Sequence, residues 1–133
     1  MEITPDKKEH ITSPEDYQTF QKRCRDWIDF LGLTGWEIRF EHSEDPNNYA
    51  SCSVNYADRV SWLQLTKNWD GTPVTEDRLY HSSRHEVLEL LLAPLRTVAR
   101  ARYVSSDEIS QSNHEIIRIL ETFFDKYGLK PDA

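Results

Sequence analysis

His85 and Glu86 stand side by side, and Glu89 follows His85 by four residues, in the run SSRHEVLELLLAPL from Ser82 to Leu95. On a helix, side chains four apart share a face one turn apart. His85 and Glu89 can therefore reach one ion, while Glu86, one residue round, can orient a water bound to it. Two ligands at i and i+4 with a glutamate as general base make the donor set of a metal-dependent hydrolase. Zinc accepts imidazole nitrogen and carboxylate oxygen alike, so Glu89 is a permissible ligand. A carboxylate there makes the site more negative, raises the pKa of bound water, and admits magnesium, calcium or manganese, which favour oxygen.

A third ligand is needed. In SNHEIIRIL, Glu115 is the preferred candidate and His114 the next, each able to face the motif helix from the following one. His81 precedes His85 by one turn, but three ligands along one helix rarely close a tetrahedron. The same histidine and glutamates also suit a solvated helix face with no ligand role. Other constellations do not assemble. Cys24 has Arg23 and Arg25 beside it but no histidine near in sequence, and four glycines build no phosphate loop. His10 and His42 sit in polar stretches and read as surface residues. The four tryptophans read as core aromatics, with Trp69 expected to border a cleft.

The elements that would position the motif are legible in outline. Ser13, Pro14, Glu15 and Asp16 open a helix whose apolar face is Tyr17, Phe20, Cys24, Trp27, Ile28 and Leu31, closed by Gly32 and Gly35. Trp36, Ile38 and Phe40 alternate with Glu37, Arg39 and Glu41, as in a half-buried strand. Tyr49 to Thr66 reads as a hairpin turning near Asp58, with Ala50, Cys52, Val54 and Tyr56 on one face of its first arm. The motif helix begins near Thr75, with Val87, Leu88, Leu91, Leu92 and Leu95 as its expected buried stripe and a kink or break at Pro94. Ser105 and Glu108 have capping-box spacing before a last helix that carries Ile109, Ile116, Ile117, Leu120, Phe123 and Phe124 to Gly128. The order predicts an α+β domain: N-terminal helix, three-stranded antiparallel sheet, motif helix and C-terminal helix. Residues 1–12 are expected to be a flexible N-terminus, 13–128 a single domain and 129–133 a tail.

The chain has 133 residues, enough for one core, and a net charge of −7, which repels a phosphate backbone and argues against nucleic acid as partner. Arg96, Arg100 and Arg102 read as solvated charge near a helix end. Cys24 and Cys52 read as free, buried thiols, with a single disulfide as the alternative. No apolar segment approaches the roughly 18 residues that span a bilayer, and the start is not a signal peptide. The expected location is the cytoplasm, with no membrane partner.

LGLTGWEI after a Trp-bearing helix, the VSWLQL strand and HEVLELLLAPL together resemble a group of small, mostly phage-encoded proteins that look like minimal zinc peptidases. These are similar in turn to SprT-like and other zincin domains. The likeness in element order runs from about Asp16 to Phe124; its specific part is Arg84 to Leu95. It implies a zincin-like fold, zinc as cofactor, His85 as first ligand, Glu86 as general base and Glu115 as the downstream acidic ligand. Glu89 departs from the family's second histidine. Three roles follow. The chain is a peptidase acting on a peptide held along an exposed edge strand such as SWLQLT, or an acidic, non-catalytic module that captures or inhibits a host protein, or a fold pinned by a structural metal.

Overall fold

The computed structural model describes residues 9–129. The expected flexible N-terminus and tail therefore lie outside the described residues for 1–8 and 130–133. Helix α1 (Pro14–Leu31) starts as expected. The Ser13 hydroxyl accepts the Asp16 amide at 3.0 Å, and the Asp16 carboxylate accepts the Ser13 amide at 2.8 Å. Phe20, Cys24, Ile28 and Leu31 face the core. Gly32 ends the helix at φ 72°, a left-handed turn that a glycine takes without strain.

Three strands follow, β1 (Glu37–Ser43), β2 (Ala50–Asn55) and β3 (Val60–Thr66). The α+β class holds, but the sheet is mixed and not antiparallel. Its order is β1-β3-β2, with β3 antiparallel to β2 and parallel to β1. Burial explains the order. Ser61, Leu63, Gln64, Leu65 and Thr66 are all buried, so β3 is covered on both faces and belongs at the centre. β1 and β2, apart from buried Ala50, carry exposed and half-buried residues and take the edges. Buried Gln64 is satisfied from both sides: it accepts the Ser51 hydroxyl at 2.7 Å and donates to the Ser43 hydroxyl at 2.7 Å.

Helix α2 (Glu76–Arg100) is capped by Thr75 and runs through Pro94 without ending. Pro94 is itself buried in the core, where packing outweighs the missing backbone donor. The buried stripe also differs from the expected one. Leu79, Ser83, Glu86, Val87, Leu90, Leu91, Pro94 and Val98 face inward, while Leu88 and Leu92 are exposed. The helix is turned so that Glu86 points inward. Helix α3 (Ser106–Lys126) has the Ser105–Glu108 capping box, but only Ser112 and Ile116 on it are buried. Ile109, Ile117 and Phe124 remain exposed, so α3 rests on the core along a narrow seam.

Within the stretch expected to be loose, His10 to Thr12 is tied down. The Trp69 amide donates to the His10 carbonyl and the Thr12 amide to the Lys67 carbonyl, each at 2.8 Å. His42 is half-buried and stacked on Tyr17 with ring centroids 4.7 Å apart, so it is not a plain surface residue. The Thr12 hydroxyl donates to the Thr66 carbonyl at 2.8 Å. Its 2.6 Å contact with His42 Nε2 must therefore be donated by the imidazole, which fixes the tautomer.

Candidate functional site

A cleft of about 890 Å³ lies between the start of β2 and the first half of α2. The loop Asp45–Tyr49, Ala50, Ser51 and Cys52 form one wall, and His81, Ser82, His85, Glu86 and Glu89 form the other. Its rim is built rather than loose. The Trp69 indole donates to the Tyr49 carbonyl at 3.0 Å, Thr66 donates to the Asn48 carbonyl at 2.6 Å, and the Tyr49 and Thr72 hydroxyls meet at 2.7 Å. Trp69 is thus buried beneath the rim and does not border the cleft, whose wall its neighbours Asn68 and Asp70 line instead.

The phase of the β2–β3 ladder decides what β2 offers the cleft. The Thr66 amide donates to the Tyr49 carbonyl at 3.0 Å, so Tyr49 and Thr66 form a hydrogen-bonded pair. By alternation, Ser51, Ser53 and Asn55 spend their peptide groups on β3. Those of Ala50, Cys52 and Val54 point to the open edge. SWLQLT, expected as the accepting edge, is the central strand β3 and has no free edge; the open edge beside the motif is β2.

The motif residues divide sharply. His85 is at the rim with its side chain 70% exposed, and its Nε2 lies 3.6 Å from Glu89 Oε1. Glu89 is claimed by the Arg96 guanidinium, about two turns further along α2, where the sequence suggested solvated charge. Arg96 is the residue that sequence reasoning missed; a glutamate and an arginine seven apart on one helix share a face, and that was the available signal. Glu86 is 8% exposed. Burial pushes its carboxyl above the ordinary range; the charge of His85 opposes this, Glu89 adds to it, and Arg96 opposes it.

Of the residues expected as metal ligands, His85 and Glu89 are neighbours, but Glu115 and His114 are not brought to them. Glu115 is held at 2.6 Å by Arg59 and lines a separate groove with Gly35 and Trp36. His114 is exposed on α3 and does not line the cleft. Among the described residues no three histidine, cysteine, aspartate or glutamate side chains are placed to hold a metal ion. His85 and Glu89 alone, with a guanidinium already on the carboxylate, do not fit zinc.

His81 also lines the cleft, but its Nδ1 accepts from Arg84 at 2.9 Å and its Nε2 lies 3.6 Å from Asp77. The two thiols are free, Cys24 buried and Cys52 half-buried at the cleft wall. Burial first, then the charge of Glu86, pushes the Cys24 thiol far up. Burial also pushes Cys52 up, against the Ser61 hydrogen bond. Neither is a poised nucleophile.

Among the described residues no helix is long and apolar enough to cross a membrane. No family model and no curated protein matches the chain. Among solved structures, the chain is similar to the metallopeptidase zymogen jannalysin of Methanocaldococcus jannaschii, at 18% identity and a TM-score of 0.41, over 90% of this chain and 97% of that one. Similarity of this degree assigns the chain neither an activity nor a ligand.

Proposed function

We propose that this chain is a non-catalytic binding module that holds an extended segment of a partner protein in the cleft, paired with the open edge of β2. One observation carries the reading: the outward peptide groups of Ala50 and Cys52 stand in the wall of a preformed cleft whose opposite wall is α2. Strand addition supplies affinity through main-chain hydrogen bonds and needs no metal. That Glu89 and Glu115 each pair with an arginine supports binding over catalysis. The resemblance of HEVLELLLAPL to minimal zinc peptidases supports a cleft shaped for peptide. In the setting that resemblance implies, the partner is a host protein.

The test uses fluorescein-labelled nonapeptides N-methylated on alternate residues. An added strand donates only every other amide to its neighbour. Methylation in one phase should abolish binding to the full chain, and methylation in the other should leave it intact. Equal binding by both methylated series would overturn strand addition.

A second reading, a metal-dependent hydrolase, is favoured by Glu86, which stays in the cleft wall beside His85. It predicts about one equivalent of zinc or manganese in protein purified without chelator or metal-affinity resin. The binding-module reading predicts none in the natural chain.

A further inference from the structure

The cleft is acidic, lined by Asp45, Asp70, Glu86 and Glu89, with only the histidines His81 and His85 as basic groups in its wall. Of the four, Glu89 already has its cation in Arg96. Glu86 differs from the others. It is more than nine-tenths buried, yet among the described residues its carboxylate makes no hydrogen bond and no ion pair. A buried carboxylate without a partner costs free energy that a stable fold normally removes by pairing or by replacement. Among the described residues no buried side-chain oxygen is sealed from both partners and solvent. The Glu86 oxygens therefore open into the cleft, aimed at whatever occupies it.

We propose that the segment held in the cleft carries a lysine or arginine whose charged head pairs with Glu86. This deepens the binding-module reading and rests on it. A strand added to β2 turns every second side chain toward α2, where Glu86 lies in the opposite wall. A long cationic side chain has the stem to cross the cleft along apolar surface and the head to meet a buried carboxylate. Pairing in so desolvated a place discriminates strongly between a cation and its neutral isostere, because the alternative leaves Glu86 alone. The chain's net charge of −7 steers such a segment inward.

The experiment measures fluorescence polarisation with capped, labelled nonapeptides that alternate threonine with lysine, norleucine or glutamate. Alternation presents the same side chain whichever two-residue register is taken. The lysine peptide is expected to bind the full chain about tenfold or more tighter than the norleucine peptide. Glu86→Gln, checked for folding by circular dichroism, should abolish the advantage of the lysine peptide over the norleucine peptide. Equal binding of lysine and norleucine peptides would overturn the cation while leaving the strand-binding reading standing. A lysine preference that survives Glu86→Gln, or falls no more than in the exposed control Glu121→Gln, would mean generic attraction and overturn it too. Zinc that binds stoichiometrically and displaces the lysine peptide would make Glu86 a metal-site residue and overturn it. Binding by none of the peptides would overturn both this inference and the reading beneath it.

Discussion

At the scale of single residues, the histidines show how little a side chain's type says about its work. His85, the residue that suggests a ligand, is the exposed one, and His42, in a polar stretch, is the one with a structural task. Burial, reinforced by Lys67 and opposed by Asp16, holds the His42 imidazole below its ordinary value of 6.5. The folded state thus binds the proton less readily than the unfolded chain. The resulting stability is complete above 6.5 and is lost as pH falls through the lowered value. Urea midpoints should therefore fall as pH is lowered from about 7.5 to about 5, with a steeper fall than in His42→Gln. The pair His85-Glu86 was legible because adjacent types are read directly. The claim of Arg96 on Glu89 was less so, since a charge near a helix end has solvent as its default partner.

Among the elements, α2 marks the boundary of what periodicity can tell. Its run Val87-Leu88-Glu89-Leu90-Leu91-Leu92 offers two overlapping apolar stripes, and only packing against α1 and β2 selects between them. The stripe chosen turns Leu88 and Leu92 outward and carries Glu86 inward, which is why the burial of Glu86 could not be read from the sequence. Truncation separates the two. Leu90→Ala, at a fully buried site, is expected to cost about 2–5 kcal/mol. Leu92→Ala, 47% exposed, should stay within about 0.5 kcal/mol in the same chemical denaturation. A larger loss for Leu92→Ala than for Leu90→Ala would mean that the helix sits in the other rotation. Helix α1 was legible from the Ser13 cap, Pro14 and an acidic first turn, and the start of α3 from the capping-box spacing of Ser105 and Glu108. The parallel pairing of β1 was not, because strand order depends on which strand is most buried and no local residue states that.

For the molecule as a whole, α3 is the part least held by the core, with Ile116 and Ser112 its only buried residues. Its tie to the sheet is Arg59, at the hairpin turn, which pairs with Glu115 while its guanidinium lies 5.2 Å from the Trp36 ring and 4.6 Å from the Tyr56 ring. Arg59 keeps this post at φ 54°, a left-handed conformation uncommon outside glycine. Arg59→Met should speed amide exchange along α3 by about threefold to tenfold while the amides of α1 and β3 change little. Uniform loss of protection would show instead that the turn supports the whole fold.

The mixed sheet also constrains the route by which the chain reaches its fold. β2 and β3 are joined by a short turn and can pair early, as neighbours in sequence do. β1 must wait for β3, because the whole first arm of the hairpin intervenes between them. Loop closure is paid before that contact returns anything, so β1 joins after the hairpin exists. Weakening the hairpin turn then slows refolding, whereas weakening β1 mainly quickens escape from the native state. The strand that closes the sheet last is the one farthest from the cleft, so the binding edge is assembled before the domain is complete.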